Sequence, residues 1–411
     1  MHSPVIGSFL AFPVIYWLCL ELFSSPLVGG LAMALVAVSP INLRYAQEVR
    51  QYSLWTTLIL LSCATIFRAI RQPTKLNWGV YSLVITIGLY CHLLTGLVII
   101  THGIYILTLE RLRLTKVVIA YLVSSSIAIA VTFPWLWIVW QNRDIIAQTT
   151  KYSTHSLPFT LLVQFWSVSL DRVFLAWHFN YNPIFIYLTI PVGLLVIYGF
   201  YFVCRHASRR TWYFILVLIG TIILPFLLPD LIWGGRRSTY ERYFLACYVS
   251  IDVIIAYLLA SKLTQQFQHK FQQYFWRFIT VCILSGGLLS CILGVFSPTW
   301  WGWSEFDVEI AQITNSVSQP LIISDVPFSG IVPFCHEVKS STKFILLSDP
   351  KSLQIPENFN HVFLYNPSDS LLSVVERGER GSLKSALIYQ FRDSMTKLAI
   401  SLYQLSPLQS F

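Results

Sequence analysis

The sequence predicts an all-α polytopic membrane protein of about ten transmembrane helices, followed by a small C-terminal α/β domain on the extracytoplasmic side. Three observations predict this class. The 411 residues are 55% hydrophobic and only 11% charged, whereas soluble domains carry about 25% charged residues. The apolar residues form long segments, and these segments stop near residue 300. Such a chain is not a water-soluble enzyme, a disordered protein or a small disulfide-stapled domain.

Ten segments are long and apolar enough to be considered membrane spans, since a helix crosses a bilayer with about 20 residues. They cover approximately residues 4–23, 26–42, 52–69, 77–91, 93–109, 117–140, 183–203, 211–230, 243–261 and 277–297. Pro26, Pro73 and Pro183 lie at breaks between segments, where a helix would be expected to end or begin. We therefore expect a membrane domain over residues 1–300.

The orientation follows from lysine and arginine, which concentrate in short cytoplasmic loops. They occur here in four loops: Arg68, Arg71 and Lys75; Arg111, Arg113 and Lys116; Arg205, Arg209 and Arg210; Lys262, Lys270 and Arg277. Ten alternating spans place all four loops on the same side, which is then the cytoplasm. Loops 43–51, 141–182 and 231–242 face outward, together with the N-terminus and everything after residue 298.

The tail over residues 301–411 differs in character and predicts the extracytoplasmic α/β domain. Residues 305–318 have the spacing of an amphipathic helix. Short apolar runs at 321–323, 344–347 and 361–365 are separated by turn residues and predict strands, as do 383–389 and 397–405.

The net charge of +9 does not indicate a nucleic-acid partner, because the basic residues form no long run with interleaved aromatics. The eight cysteines show no CxxC and no metal-ligand spacing. Cys335-His336-Glu337 places two or three adjacent ligand types together without further partners, which is weak support for a metal site. The sequence predicts no metal and no cofactor.

The densest polar cluster at a predicted outer boundary runs from Arg44 to Tyr52. If it is helical, Arg44, Glu48 and Tyr52 share one face by their spacing of four, while Arg50 points away. This cluster has two interpretations. It is a binding site for a substrate, or it is a loop with a solvated ion pair, which is common at such boundaries.

A second outer cluster contains Arg236, Arg237, Arg242 and Tyr243 just before the ninth predicted span. Three arginines outside run against the positive-inside bias, so we expect a compensating anion. Lipid phosphate is the natural candidate, because guanidinium binds phosphate oxygens bidentately. The alternative is a loop that only contacts membrane headgroups.

Three further features are weaker signals. Asp252 lies deep in a predicted span, where we expect it to be neutral and bonded to a hydroxyl, or else to line a cavity. His92 lies near the outer end of its span and is either structural or catalytic. The stretch from Trp166 to Trp177, with Asp171 and Arg172 between them, predicts an interfacial amphipathic helix.

Three motifs resemble segments of bacterial family-39 glycosyltransferases, the protein O-mannosyltransferase and aminoarabinose-transferase relatives of the GT-C fold. The first is SPINLRYAQEVRQYSL at residues 39–54, which is fairly specific. The others are LYCHLLTG at 89–96 with His102, and ERYFL at 241–245 with Ala256-Tyr257. The resemblance extends from about residue 2 to residue 262, and the tail resembles no named family.

The resemblance implies a GT-C membrane enzyme in a prokaryotic plasma membrane. It would move a sugar from a polyprenyl-phosphate-linked donor to an unknown acceptor on the outer face, by an inverting mechanism. Arg242, with Arg236 or Arg237, would contact the donor phosphate. Glu48, Arg50 and Tyr52 would shape the sugar or acceptor site, for which Arg44, His92 and Tyr243 are also candidates.

Family members carry the usual catalytic base on an outer loop after their first span, and this sequence starts at what would be the second span. The resemblance therefore leaves Glu48 as the candidate base, in an atypical arrangement, and we expect a missing N-terminal segment. Two alternatives remain. A transporter or flippase for a lipid-linked saccharide should show two related halves with interrupted spans, and the sequence shows no repeat. The other alternative is an inactive, truncated scaffold.

Overall fold

The computed structural model describes residues 3–48, 50–176, 186–266, 268–297, 305–356, 359–376, 383–392 and 399–407. The chain divides into a helical unit, Met1–Phe296, and a second unit, Ser297–Phe411. The helices of the first unit are α1 (Ser3–Phe23), α2 (Pro26–Ala37), α3 (Pro40–Gln47), α4 (Tyr52–Arg71), α5 (Lys75–Cys91), α6 (Thr95–Leu109), α7 (Lys116–Gln141), α8 (Arg143–Thr150), α9 (Phe159–Asp171), α10 (Ile186–His206), α11 (Arg209–Ile232), α12 (Leu245–Thr264) and α13 (Lys270–Phe296).

Where the structure describes them, the ten predicted spans each correspond to a helix or a helix pair, which confirms the all-α membrane class; residues 183–185 of one span lie outside the described part. Within the described residues, seven helices are long and apolar enough to cross a membrane, namely α1, α4, α7, α10, α11, α12 and α13. The predicted span 26–42 is instead the bent pair α2–α3, which would make an eighth. Helices α5 and α6 are shorter, at 17 and 15 residues.

The break between α2 and α3 bends the chain by 59° and has a local cause. Pro40 is the first residue of α3, and a proline disfavours the helical conformation for the residue before it. Ser39 is accordingly extended, with φ −79° and ψ 116°. The short helix α3 therefore leaves the direction of α2 and leads toward the connection that precedes α4.

Helix α12 is the most deeply buried of the long apolar helices. Every residue from Leu245 to Ala256 is buried, whereas α7, α11 and α13 expose many apolar side chains. A helix that is apolar and buried all round belongs to the core of a membrane bundle, and helices with exposed apolar faces are those that contact lipid.

In the part of the second unit that the structure describes, a five-stranded sheet packs with three α-helices. The strands are β1 (Leu321–Ser324), β2 (Lys343–Leu346), β3 (Val362–Tyr365), β4 (Leu383–Arg392) and β5 (Ala399–Pro407), and the helices are α14 (Glu305–Asn315), α15 (Phe328–Glu337) and α16 (Asp369–Glu376). The strand order is β2-β1-β3-β5-β4, with β1 parallel to β2 and β3, and β5 antiparallel to β3 and β4.

Both faces of this sheet are covered, because alternate residues of β1 enter different apolar clusters. Ile322 packs with Ile310 of α14 and Phe334 of α15, whereas Ile323 packs with Val375 of α16. Helix α14 and the five strands agree with the sequence-based prediction of an α/β fold. Helices α15 and α16 were not predicted, and residues 397–398 of the last predicted strand lie outside the described residues.

Candidate functional site

Three of the predicted site residues, Arg44, Tyr52 and His92, lie where three helix connections come together in the helical unit. These connections lie between α3 and α4, between α5 and α6, and between α11 and α12. The ring of Tyr52 lies 5.3 Å from that of Tyr45 and 5.9 Å from that of His92. The third connection joins them through Glu241, which binds Arg44 of α3.

Glu241 is the centre of an ion-pair cluster. Its side chain is 6% exposed, and its two carboxylate oxygens bind different arginines. Oε2 accepts from Arg44 Nη1 at 3.0 Å, and Oε1 accepts from Arg172 Nη1 at 2.6 Å. Ser169 of α9 donates its hydroxyl to the same Oε1 at 3.1 Å. One buried carboxylate thereby ties α3 and the end of α9 to the connection before α12.

Asp230, near the end of α11, organises the rest of that connection. Its buried carboxylate accepts from Arg237 Nη1 at 3.0 Å, and from the backbone N–H and hydroxyl of Ser238 at 2.6 and 2.7 Å. The Ser238 hydroxyl oxygen also accepts from Trp166 Nε1 of α9 at 3.1 Å. A buried carboxylate is stable only when it is paired and hydrogen-bonded, and these bonds fix the backbone that carries the arginines.

The other two arginines of this connection lie against tyrosine rings. The guanidinium of Arg242 is 5.2 Å from the ring centres of both Tyr240 and Tyr243, and that of Arg236 is 5.9 Å from Tyr240. Tyr243 in turn stacks on Phe226 of α11 at 5.0 Å. These distances are within the range of cation–π attraction, which orients a guanidinium while keeping its charge.

His92 is held as a neutral ring beside this cluster. It stacks on Trp55 at 4.3 Å, and its Nδ1 accepts the backbone N–H of Leu94 at 3.2 Å. Burial, assisted by the positive charge of Arg242, lowers the pKa of His92 to about 4. Because Nδ1 is the acceptor of a neutral imidazole, the proton is on Nε2, which makes His92 a hydrogen-bond donor near neutral pH.

The candidate base Glu48 is more accessible than the other carboxylates of the site. It follows the last residue of α3 with an extended backbone, φ −69° and ψ 121°. Its side chain is 29% exposed and lies 3.3 Å from Nε of Arg50, which is 54% exposed. The Glu48–Arg50 contact is the ion pair of the second sequence-based interpretation, and Arg44 of the same segment is half-buried against Glu241.

The expected helical face of Arg44, Glu48 and Tyr52 is wrong. Helix α3 ends at Gln47 and α4 begins at Tyr52, so the spacing of four does not carry across the connection. Two other expectations also change. The helix expected from Trp166 to Trp177 ends at Asp171, and Trp177 lies outside the described residues. Asp252 has an amide partner, Asn42, in place of the expected hydroxyl.

Sequence reasoning missed the two carboxylates that organise the arginines. Glu241 lies inside a recognised motif, and Asp230 follows an apolar segment seven positions before Arg237. The available signal was charge balance: arginines outside the positive-inside pattern need anions, and a carboxylate at the end of a span needs a cation. Among the described residues, no three His, Cys, Asp or Glu side chains come together as a metal site.

Gly235 gives a direct test of the Asp230 arrangement. Its φ of +142° lies in a region that favours glycine, and an added Cβ would be 2.5 Å from both Arg237 Nη1 and Asp230 Oδ1. We expect Gly235→Ala to reduce the free energy of unfolding by roughly 1–3 kcal/mol, because the added methyl group forces the Arg237–Asp230 ion pair apart. The thermal midpoint of unfolding should fall accordingly. Thermal unfolding of the purified protein measures this.

Gly220→Ala is the matched control for Gly235→Ala. Gly220 lies inside α11, and an added Cβ there meets no atom within 4 Å. Alanine in a helix interior is favourable by about 1 kcal/mol relative to glycine, so this variant should be as stable as the parent or more stable. Equal midpoints for the parent and Gly235→Ala would contradict the tight arrangement around Asp230.

Comparisons with known proteins relate the chain to one fold. No protein-family model matches the sequence, and no curated protein sequence matches it. The solved structure of ArnT from Cupriavidus metallidurans in the apo state matches with a TM-score of 0.51 and 10% identity, covering 98% of this chain and 82% of that chain. The structure of the same protein bound to undecaprenyl phosphate gives a TM-score of 0.49 and 10% identity, covering 98% and 83%. The match to the apo state confirms the ArnT-like GT-C fold.

Proposed function

We propose that this chain is an integral membrane glycosyltransferase that takes a sugar from a polyprenyl-phosphate-linked donor. The observation that carries the proposal is the arginine cluster. It contains five arginines: Arg44 and Arg172 bind the buried carboxylate of Glu241, Arg237 binds that of Asp230, and the remaining two, at 236 and 242, lie over the ring of Tyr240. The cluster is net positive, so it suits an anionic group attached to an apolar chain, and a polyprenyl phosphate has that chemistry.

The phosphate of such a donor is the leaving group. In an inverting transfer, the acceptor hydroxyl oxygen forms a bond to the anomeric carbon while the bond from that carbon to the phosphate oxygen breaks. Polyprenyl phosphate leaves with the bonding electron pair and gains negative charge. Arg242, Arg236 and Arg237 are the proposed phosphate contacts, since preorganised cations stabilise charge that develops in the transition state.

The acceptor hydroxyl must lose its proton during the attack, and Glu48 is the proposed recipient. Its exposed fraction of 29% leaves it reachable, and Arg50 lies beside it. Arg44, Tyr52, His92 and Tyr243 are proposed to shape the sugar and acceptor site. Arg44 does so from its anchor on Glu241, and His92 does so as a neutral donor.

The shared fold supports this proposal, because ArnT is an aminoarabinose transferase of the GT-C family. A transporter or flippase for a lipid-linked saccharide is the second candidate, and one observation favours it. Interrupted helices occur at the substrate sites of many transporters, and α2–α3 is such a pair.

A reconstituted transfer assay tests the proposal. The full chain in liposomes is given a polyprenyl-phosphate-linked sugar with a membrane extract as the source of acceptors, and the release of polyprenyl phosphate is measured. We expect release by the parent, and a rate at least about 100-fold lower for Glu48→Gln, because the amide cannot accept the proton. Asp144→Asn is the control, since Asp144 is an 82% exposed carboxylate that is also beside an arginine.

Each other outcome contradicts a stated part of the proposal. Full activity of Glu48→Gln would exclude Glu48 as the base. Movement of the intact lipid across the bilayer without release of polyprenyl phosphate would favour the transporter. Neither transfer nor movement, in a folded parent protein, would favour a scaffold.

A further inference from the structure

Asp252 is a buried carboxyl group that the proposed chemistry does not use. It is 0% exposed and lies seven residues into α12, about 10 Å along the helix from Leu245. Its Oδ2 is 3.4 Å from Nδ2 of Asn42, and within the described part of the chain its Oδ1 has no hydrogen-bond partner. A carboxyl group inside a membrane protein is costly, so it requires a reason.

The partner of Asp252 lies in the first turn of α3. Asn42 is the third residue of that helix, directly after the break at Ser39 and Pro40. The N-cap residue Ser39 forms no side-chain capping bond, and it is buried. The first turn of a helix carries partial positive charge, so a carboxyl group beside it is favourable.

Helix α3 needs anchors because it has only eight residues, and a helix of that length is not stable by itself. The structure provides three. The backbone N–H of Ile41 donates to the carbonyl of Arg172 at 3.0 Å, Asn42 donates to Asp252, and Arg44 binds Glu241. The first two fix the start of the helix, and the third lies less than one turn later.

We infer that Asp252 is a positioning residue: through Asn42 it holds the first turn of α3, and thereby sets where α3 presents Arg44 to Glu241. The consequence for catalysis rests on the proposed function, whereas the tether itself does not. Asp252 acts at a distance from the reacting atoms and is not a catalytic residue. The carboxyl group and the amide form one pair, so exchanging the two residues should preserve it.

Hydrogen exchange in the purified full-length protein tests the tether without any transfer assay. We expect Asp252→Leu to raise amide exchange in a peptide covering residues 40–48 by about tenfold, the effect of losing one buried hydrogen bond. Peptides from α4 and α7 should keep their parent rates. Asp252→Asn, which retains the shape of the side chain, should raise the exchange of residues 40–48 by less. This variant replaces Asp252→Leu in the test if the leucine variant does not fold. Asp144→Asn should change nothing.

The exchanged pair Asn42→Asp with Asp252→Asn separates positioning from general stabilisation. The double variant should return the exchange of residues 40–48 to the parent rate. If each substitution only weakened the structure, the two effects would add, and the double variant would exchange faster than either single variant. Unchanged exchange in Asp252→Leu, an increase spread evenly over all helices, or no recovery in the exchanged pair would each overturn the inference.

Transfer activity then tests whether the tether between Asp252 and Asn42 matters for catalysis. If the parent transfers sugar, Asp252→Leu should lower transfer and the exchanged pair should restore it. If the parent has no transfer activity, the proposed function fails, and the exchange rates still decide the tether.

Discussion

Replacing Glu241 with glutamine should both destabilise the protein and remove most of its transfer activity. The carboxylate is 6% exposed and lies between the guanidinium groups of Arg44 and Arg172. Glutamine leaves two positive charges close together with no negative charge between them. Removing one partner of a buried ion pair costs roughly 3–5 kcal/mol of unfolding free energy. Thermal unfolding and the liposome transfer assay measure the two effects.

Two further variants make the Glu241 prediction specific. Asp144→Asn makes the same carboxylate-to-amide change in an exposed ion pair, and such pairs contribute about 0–1 kcal/mol, so its midpoint should match the parent. Arg44→Met in the Glu241→Gln background removes one of the two positive charges and should recover part of the lost stability. A Glu241→Gln protein as stable as the parent would show that the cluster is not held by this carboxylate.

The spans were predictable because lipid imposes a simple length and composition rule. Segments such as 117–140 and 211–230 correspond closely to α7 and α11. The predicted span 26–42 hid a break, although Ser39-Pro40 was visible in the sequence. Proline predicts that the helix stops before it, but apolar composition continues on both sides, and composition alone does not reveal a 59° bend.

The sequence allowed each polar cluster of the candidate site to be found separately, but it did not show which clusters contact each other. Arg236, Arg237 and Arg242 stand out in the sequence because they violate a charge rule. The ion pairs of Glu241 do not stand out, because its partners Arg44 and Arg172 are 197 and 69 positions away in the sequence. The unexpected end of α3 also moved Glu48 away from the face of Arg44. Pairings between distant elements depend on the packing of helices, which periodicity does not encode.

Replacing Arg242 with alanine should give the largest loss of transfer among the three proposed phosphate contacts. Its guanidinium lies 5.2 Å from two tyrosine rings, and its charge acts on both His92 and Tyr45. Arg242 belongs to the connection between α11 and α12, and its charge reaches His92 of the proposed sugar site. Loss of one preorganised donor to a developing oxyanion costs about 10²–10³ in kcat, and we expect a loss of this order.

Lysine at this position should restore only part of the activity, because an ammonium group keeps the charge but does not bind two phosphate oxygens in a planar fork. Arg143→Ala is the matched control. Arg143 also lies 5.3 Å from an aromatic ring, that of Trp140, but it is 57% exposed and belongs to α8. If Arg143→Ala and Arg242→Ala were equally active, Arg242 would serve only to pack against its tyrosine rings. If only Arg242→Ala lost transfer activity, and its unfolding midpoint were unchanged, the result would support a role of the Arg242 charge in binding the donor phosphate.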